Sequence, residues 1–565
     1  MRHRFLNRFA LLVLVLAAAK PLAAQNVKTW FVDSLVKVFP SDLPAKKRSK
    51  TTEIWAARNQ HASLQLVIRS AQPLSGLSAA VEPLQGPKDA RLQASVRPVG
   101  YVVVGSHSKD TPPEELVGEA PGWFPDPLLD FPVDVKAGRT QAVWIGIHIP
   151  RDAEPGTYRG AVSLQSGGRT LARAPFSVRV LGATVPEARA LKVTNWFNLS
   201  DKASRQFYNA PMFSPDWWTL VENVAGVMAV HRQNVIITPL MDLIVPGVDG
   251  DKLHYNFTNF DRWVETFRRA GAMDFIEGSH LLGRGREGYD GSLQVDVFQI
   301  ANGQVQTHAL PAGDPSVVTF LAGFLTALNS HLEEKGWKGM YLQHILDEAH
   351  GTEPPVYARF AGYVRRYLPG VLTMDAVDAD HMPQELQENC DVWVPQLGRF
   401  DDQTDMLERR MRSGREVWFY TCLFPNKRYL NRLIDYPLLK AQLLHWLNFR
   451  YGYTGFLHWG WNYWSPEPMN DTQPVIDNNT ELLPPGDAFI VYPDAAHKSV
   501  FSSIRLETML EGIEDYELLC ALKAKNPSEA DRLAKAAIAS FTDYVRDPAA
   551  FRKLQHELLE AMSKN

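Results

Sequence analysis

The feature that most constrains this chain is a change of pattern after Val185-Pro186, where short β-like segments give way to strands alternating with amphipathic helices. Such alternation over roughly 300 residues is typical of a (β/α)8 barrel of the TIM type. An open doubly wound sheet would be expected to carry a glycine-rich nucleotide turn, and the sequence contains none. The predicted barrel strands are 192–197, 235–238, 272–276, 340–347, 371–375, 392–396, 417–421 and 455–459, and the helices between them include 217–231, 257–270, 316–335, 356–367 and 436–449.

The part of the chain before this change has a different period. Short segments punctuated by glycine and proline turns alternate apolar and polar residues, most clearly at 61–69 and 141–148, and helical periodicity is absent. This pattern predicts an antiparallel β-sandwich. We expect the sandwich to brace a catalytic barrel. The predicted strands here are 30–38, 62–69, 99–104, 142–149, 156–164 and 174–181.

The two ends of the chain complete the predicted domain organisation. A basic start, a short apolar run and small residues at 22–24 indicate a secretory signal peptide over 1–24, so we expect an exported protein, periplasmic or secreted. The sandwich is assigned to 25–185, the barrel to 186–500 and C-terminal helices packed on the barrel to 501–565. Within the last part, 503–519 predicts an amphipathic helix whose acidic residues form a solvated face, with inward pairing of Arg505 and Glu507 as the alternative.

Composition excludes some classes of function. The formal net charge of −4 over 565 residues gives no reason to expect nucleic acid as a partner. The three cysteines are far apart and odd in number, so they predict buried thiols and no disulfide framework. Beyond the signal peptide, no apolar stretch is long enough to span a membrane. The 15 tryptophans favour sugar binding, although tryptophans also fill cores.

The most informative stretch is 340–350, where an apolar strand ends in two adjacent carboxylates, Asp347 and Glu348. Gly351, Pro354 and Pro355 follow and predict the end of the strand and a loop. A strand can end in acid simply because it enters water. Two carboxylates at the carboxyl end of a barrel strand are also the arrangement expected of a glycosidase. The segment Asp-Glu-Ala-His at 347–350 matches a helicase box, but the phosphate loop that a helicase needs is missing.

Polar and aromatic side chains follow the other predicted barrel strands, at the ends where barrel enzymes carry their sites. Each has an ordinary explanation as a cap, a loop hydrogen bond or a buried ring, but together they resemble a carbohydrate pocket. The candidates are Asn195, Trp196, His280, Asp375, Gln396, Tyr420, Trp459, Trp461, Tyr463 and Trp464.

Several segments resemble glycoside hydrolase family 123, and the resemblance extends over nearly the whole mature chain. They are Leu-Asp-Glu at 346–348, Phe-Leu-His-Trp-Gly-Trp-Asn-Tyr-Trp at 456–464, Phe-Ile-Val-Tyr-Pro at 489–493, Ser-Ile-Arg-Leu-Glu at 503–507, Glu-Gly-Ile-Glu-Asp-Tyr at 511–516 and Phe-Pro-Asp-Pro-Leu at 124–128. The resemblance implies an exo-acting β-N-acetylgalactosaminidase that retains anomeric configuration and needs no cofactor. Its implied substrate is a glycan or glycolipid with a terminal β-linked N-acetylhexosamine.

The resemblance also implies a mechanism in which the 2-acetamido oxygen of the substrate attacks the anomeric carbon and forms an oxazolinium ion. Asp347 would orient the acetamido group, and Glu348 would act as general acid and then base, which requires a raised pKa. Trp459, Trp461 and Trp464 are candidates for the wall of the sugar subsite, together with Tyr463, whose hydroxyl could hold the acetamido oxygen.

Other interpretations remain open at this point. Asp347 could be a covalent nucleophile in a glycosidase whose sugar has no acetamido group, or the protein could bind sugar without hydrolysing it. A metal-dependent hydrolase is the weakest option, since His344 and His350 flank the carboxylates without the spacing of a metal site. The sequence does not distinguish galacto from gluco stereochemistry.

Overall fold

The computed structural model of the protein describes residues 27–44, 53–285, 288–475 and 482–564. The predicted signal peptide at 1–24 lies outside these ranges, so export stays a prediction. Across the described ranges, no helix combines the length and the apolarity needed to cross a bilayer.

The N-terminal domain is built from β-strands, as the sequence predicts. The strands described there are β1 Val27–Asp33, β2 Glu53–Arg58, β3 Gln60–Ser70, β4 Leu74–Val81, β5 Leu84–Gln85, β6 Arg91–Leu92, β7 Ala94–Val104, β8 Gly122–Leu128, β9 Val133–Val135, β10 Thr140–Ile149, β11 Gly156–Ser166 and β12 Arg169–Thr184. One sheet has the order β1-β3-β10-β7-β8, and the other has the order β2-β12-β11-β4-β9 with β5 and β6 attached to β11. Neighbouring strands are antiparallel except β2 and β12, which run parallel.

The first sheet is buried on both faces. Along β3, Leu64 and Leu66 point into the core that the two sheets share. Val67 of β3 and Trp144 of β10 point the other way and pack into the core of the following domain. Side chains alternate between the two faces of a strand, so a sheet with two covered faces is apolar at successive positions. This packing makes the sheet a support for the second domain.

The second domain alternates strands and helices. Its described strands are β13 Lys192–Asn195, β14 Val235–Thr238, β15 Val245–Asp249, β16 Lys252–Asn256, β17 Phe275–Gly278, β18 Gly283–Arg284, β19 Leu293–Ala301, β20 Gln304–Pro311, β21 Tyr341–Gln343, β22 Leu372–Val377, β23 Val392–Pro395, β24 Trp418–Thr421, β25 Gly455–His458, β26 Tyr492–Asp494 and β27 Ser499–Phe501. Its described helices are α1 Asp201–Tyr208, α2 Pro215–Val230, α3 Leu240–Leu243, α4 Thr258–Ala270, α5 Pro315–Glu334, α6 Pro354–Tyr367, α7 Gln384–Asn389, α8 Thr404–Arg412, α9 Leu438–Tyr451, α10 Ile504–Lys525, α11 Pro527–Ala537 and α12 Pro548–Ser563.

Every predicted barrel strand overlaps a parallel strand of this domain. Hydrogen-bonded ladders join β14-β17-β21-β22-β23 in one sheet and β13-β25-β24 in another. Isolated parallel bridges join Trp393 to Val417 and Gln396 to Tyr420, next to β23 and β24. Near β13 and β14, the amide of Asn234 donates to the carbonyl of Val193 at 3.2 Å. The ladders therefore form two parallel sheets, and a single closed barrel stays a prediction.

The strand that carries the acidic pair is shorter than predicted. β21 ends at Gln343, whereas the sequence predicts a strand over 340–347. The amide of Ile345 donates to the carboxylate of Asp375, at 3.0 Å from Oδ2, so a side chain takes the place of a neighbouring strand. The loop predicted after the strand is present at 344–353, and α6 begins at Pro354, two residues before the predicted helix at 356–367. Proline fits the first turn of a helix, where its missing N–H is not needed.

Two antiparallel insertions that the sequence analysis does not predict follow β14 and β17. The first is the hairpin of β15 and β16, and the second is the three-stranded sheet of β18, β19 and β20. Both follow the carboxyl ends of parallel strands. The second insertion supplies Gln294, Val295 and Asp296 to the wall of a cavity of about 790 Å³.

The acidic residues of α10 are buried, so the predicted solvated face is wrong. Glu511 and Glu514 are at most 6% exposed, because α10 lies between α9 and the N-terminal domain. Glu514 accepts a hydrogen bond from the backbone amide of His61 at 2.8 Å, and Glu511 accepts one from the hydroxyl of Ser63. These charges bind the two domains together.

A buried ion pair lies at the centre of this interface. Arg505 of α10 donates to Asp126 of β8 through Nε and Nη2, both at 2.8 Å, and both side chains are fully buried. The same guanidinium donates to the carbonyls of Arg432, Gly486 and Phe489, each at 2.9 Å. The alternative of inward pairing therefore holds for Arg505, which joins segments of the second domain to Asp126 of the first, while Glu507 contacts His231.

Replacing Asp126 by Asn should destabilise the protein, because Arg505 would keep a buried charge without its carboxylate. Breaking such a pair costs about 3–5 kcal/mol in the free energy of unfolding. Chemical denaturation followed by tryptophan fluorescence should show a clearly lower midpoint. Glu408→Gln is the control, since Glu408 and Arg412 form an exposed pair at 55% and 68% exposure. Equal midpoints for the two variants would contradict the prediction.

Candidate active site

One cavity has a volume of about 790 Å³, within the size range of small-molecule sites, and is called the main cavity below. It opens at the carboxyl ends of β14, β17 and β21, and the insertion after β17 forms one side. Side chains that line it include Trp196, Ser279, His280, Arg284, Tyr289, Asp296, Asp347 and Tyr463.

Asp347 and Glu348 lie in a turn after β21, with their side chains in different surroundings. Asp347 lines the cavity. The carboxylate of Glu348 accepts a hydrogen bond from the hydroxyl of Tyr420 and also interacts with the hydroxyl of Tyr289. Glu348 has a φ of +47°, a left-handed conformation that is uncommon for a residue with a side chain. Such strain is found mostly at functional positions.

Both carboxyl groups hold a proton more tightly than in water. Burial, together with the neighbouring charge of Glu348, raises the pKa of Asp347 to about 8, although the charges of His344 and Arg284 oppose this. Burial also raises the pKa of Glu348, against the hydrogen bond from Tyr420. Two like charges side by side in a buried site do not both ionise easily, so near neutral pH the pair shares a proton.

A buried histidine lies behind this pair. His344 contacts Glu277 through Nε2 at 2.7 Å and Asp375 through Nδ1 at 2.9 Å, and all three side chains are fully buried. Burial lowers the pKa of His344, but the hydrogen bonds that it donates to both carboxylates outweigh burial and raise the pKa to about 10. The imidazole therefore carries a proton on each nitrogen and a positive charge, close enough to act on Asp347.

The same network fixes the aromatic wall of the cavity. Glu277 accepts hydrogen bonds from Trp196 Nε1 at 2.7 Å and from the Thr194 hydroxyl at 2.6 Å. The ring of His280 lies 5.2 Å from that of Trp196 and 4.4 Å from that of His344. Burial and the charge of His344 hold the pKa of His280 well below its usual value. His280 Nε2 is a buried polar atom without a hydrogen-bond partner among the described residues, and it lies 3.7 Å from Asp375 Oδ1.

Arg284 holds the backbone of the turn that contains Asp347 and Glu348. It donates to the carbonyl of Asp347 at 2.9 Å and to the carbonyl of Glu348 at 3.2 Å. Its guanidinium also pairs with both carboxylate oxygens of Glu353, at 3.0 and 2.7 Å. A guanidinium with several fixed partners is a rigid support. Arg284 therefore fixes the backbone positions of both acidic residues, Asp347 and Glu348.

The structure brings some of the predicted site residues together. Asp347, His280 and Tyr463 line the main cavity, and Tyr420 contacts Glu348. The nearby charge of Asp347 adds to burial in raising the pKa of Tyr463 to about 12. Trp459 lies next to this group, with its ring 5.2 Å from that of Tyr463.

Other predicted residues lie elsewhere. Trp461 is 1% exposed and packs in the core, where its ring lies 6.2 Å from that of Phe197. Asn195 is buried and bonds to Gln233 and Arg432. Gln396 is buried at the end of β23.

Two further predicted residues, Asp375 and Trp464, do not line the main cavity. Asp375 accepts a hydrogen bond from His344 Nδ1 and is not among the residues that line the cavity. Trp464 packs on Phe207 and, together with Trp459, lines a separate cleft of about 260 Å³.

The residues His280, His344 and Asp375 place possible metal-ligand atoms within 4.8 Å of one another. A histidine ligates a metal through a deprotonated nitrogen. Both nitrogens of His344 are already hydrogen-bonded to carboxylates, so this cluster fits an ion-pair network better than a metal site. A second cluster, Asp130, Asp494 and His497, lies at the surface away from the cavity.

Sequence reasoning missed Glu277, Arg284 and Tyr289, and it considered His344 only as a possible metal ligand. Glu277 and His344 were detectable as polar residues within or next to apolar strands, a pattern that usually marks a buried network. Arg284 and Tyr289 lie in the unpredicted insertion, where no periodic signal places them.

Two family models and several solved structures are similar to this chain. Residues 196–522 match the family model "Glycoside hydrolase 123, catalytic domain", and residues 37–166 match "Glycoside hydrolase 123 N-terminal domain". A solved family 123 glycoside hydrolase from Clostridium perfringens aligns over 95% of this chain and 97% of its own, with 16% identity and a TM-score of 0.74. A family 39 glycoside hydrolase from Bacteroides cellulosilyticus aligns over 76% and 80%, with 12% identity and a TM-score of 0.34. No curated protein matches the chain. The chain belongs to glycoside hydrolase family 123.

Proposed function

We propose that this protein is an exo-acting, retaining glycosidase that removes terminal β-linked N-acetylgalactosamine by substrate-assisted catalysis. The observation that carries the proposal is the adjacent pair Asp347 and Glu348, which are partly buried and have raised pKa values, with Asp347 lining a large cavity. In such enzymes the substrate's own acetamido oxygen takes the place of a protein nucleophile.

In the first step, the acetamido oxygen attacks the anomeric carbon and the glycosidic bond breaks. Asp347 accepts a hydrogen bond from the acetamido N–H and offsets the positive charge that develops on the oxazolinium ring. Tyr463, which also lines the cavity, is the candidate donor to the acetamido oxygen. The positively charged His344 favours the ionised form of Asp347.

Glu348 gives its proton to the leaving oxygen and then takes one from the water that opens the oxazolinium ring. Binding of substrate settles which carboxyl carries the shared proton. The acetamido N–H bonds to the ionised form of Asp347 and lowers its pKa, so the proton moves to Glu348.

The wider proposals follow from the same family. We infer that the two parallel sheets form one closed (β/α)8 barrel at 186–500, and that the domain at 25–185 braces it. The family 123 structure from Clostridium perfringens is described as acting in glycolipid glycan hydrolysis, which supports a glycolipid glycan as substrate here. We further propose that the protein acts after export, as the sequence of residues 1–24 predicts.

The first test assays the purified protein on 4-nitrophenyl β-N-acetylgalactosaminide and on its gluco epimer. Asp347→Asn and Glu348→Gln should each lower kcat by about 10²–10⁴-fold, the usual contribution of such groups. Asp402→Asn, which changes an exposed carboxylate, is the matched control and should keep wild-type activity.

An N-acetylhexosamine thiazoline, which mimics the oxazolinium ion, separates the rival mechanisms. A substrate-assisted enzyme should be inhibited strongly, whereas an enzyme that uses Asp347 as a nucleophile should not be. A sugar-binding protein would show no turnover, and Glu348→Gln would leave its affinity unchanged. Full activity in both carboxylate variants would remove the pair from the mechanism.

The pH dependence of kcat/KM should report the shared proton. Because the pKa of Asp347 is raised to about 8, the free pair keeps one proton at neutral pH and loses it as the pH rises through about 8. Activity should fall above that value, since no acid then remains. A profile that stays flat to about pH 9.5 would contradict the assignment.

Arg284→Lys should lower kcat by about 100-fold, because small displacements of catalytic groups are costly and lysine cannot make the same set of bonds. The melting temperature should be measured alongside kcat to show that the variant is folded. Arg359→Lys is the control, since Arg359 is exposed and donates only to the carbonyl of Ala312. Wild-type kcat in the Arg284 variant would show that the turn does not need this support.

A further inference from the structure

We propose that Tyr289 is the binding platform for the sugar attached to the leaving oxygen, so that the enzyme recognises a hexopyranose next to the one it removes. This inference rests on the proposed function and adds the substrate class to it. It assigns the second sugar to the side of the cavity formed by the insertion after β17.

The position of Tyr289 relative to the acid is the first argument. A general acid must lie within hydrogen-bonding distance of the oxygen it protonates. The ring attached to that oxygen is then held next to the acid and against its neighbours. Tyr289 lines the cavity, and its hydroxyl interacts with Glu348. Its ring is therefore placed where the second sugar must pass.

The second argument is that the ring contacts of Tyr289 among the described residues lie on one face of the ring. His350 stacks on the ring with the centroids 4.3 Å apart and the planes at 5°, and the Arg284 guanidinium lies 4.9 Å from the ring centroid. Arg284 Nη2 is only 3.2 Å from His350 Nδ1. Groups on opposite faces of a ring could not be so close, so both lie on the same face. Neither covers the opposite face, and the residue is 47% exposed.

The third argument is that the covered face is held rigidly. Glu353 pairs with Arg284 and also accepts a hydrogen bond from the backbone amide of His350 at 3.0 Å. The Tyr289 ring is therefore held on its covered face before any ligand binds, so the side chain loses little conformational freedom on binding. An aromatic face prepared in this way suits the apolar C–H face of a pyranose.

Two substitutions distinguish the contribution of the Tyr289 ring from that of its hydroxyl. Tyr289→Phe keeps the ring and removes the contact with Glu348, whereas Tyr289→Ala removes both. The substrate is a disaccharide with terminal β-N-acetylgalactosamine on galactose. The thiazoline serves as an inhibitor that occupies only the first subsite.

We expect Tyr289→Ala to raise KM for the disaccharide by about 10-fold, a typical value for one lost stacking contact, and to leave the inhibition constant of the thiazoline unchanged. Tyr289→Phe should keep a wild-type KM. Equal KM values for Tyr289→Ala and wild type would overturn the inference. The inference would also be overturned if KM rose equally in Tyr289→Phe and Tyr289→Ala, since loss of the hydroxyl would then explain the whole change in KM.

A wild-type protein that neither cleaves the disaccharide nor binds the thiazoline would overturn the proposed function, and this inference with it. Thiazoline binding and disaccharide cleavage by the wild type, without a change of KM in Tyr289→Ala, would overturn the inference alone.

Discussion

The constraint on which this site depends is the partial burial of two adjacent carboxyl groups in the turn after β21. Taking charges out of water is costly, and two like charges together are more so. The protein offsets this cost with the positive charges of His344 and Arg284 and with the hydroxyl of Tyr420. What remains is a pair that keeps a proton near neutral pH, which is what an acid catalyst next to a carboxylate needs.

Much of the second domain serves to hold this pair. His344 is fixed by Glu277 and Asp375, which come from β17 and β22 on either side of β21. Glu277 also holds Trp196, from β13, in the cavity wall. One buried network therefore connects four strands and sets both the charge and the shape of the site. Arg505 extends the connection to the N-terminal domain through Asp126.

The sequence predicted the parts of the fold that depend on local patterns. Apolar runs located the eight parallel strands described in the second domain, and the acidic pair was recognisable because its neighbours are apolar. Conversely, Trp461 and the acids of α10 were misjudged, since burial on those faces depends on packing against distant segments. The two family motifs that contain Asp126 and Arg505 turn out to be partners, which no local pattern could show.

Side-chain geometry was beyond sequence reasoning for a similar reason. Arg284 and Tyr289 lie in an insertion whose short strands pair with each other, so their place next to Glu348 depends on the tertiary fold. The strand that carries the pair was predicted too long because the carboxylate of Asp375 takes the hydrogen bond from Ile345. In both cases a contact between distant residues overrides the local signal.

The most direct test of the account is how the defect of Glu348→Gln depends on the leaving group. With aryl β-N-acetylgalactosaminides of increasing leaving-group pKa, the variant should be close to wild type for dinitrophenol and fall progressively behind as the pKa rises. A good leaving group needs no proton from an acid. Asp347→Asn should be impaired across the series. The same loss for Glu348→Gln with every leaving group would contradict its role as the acid.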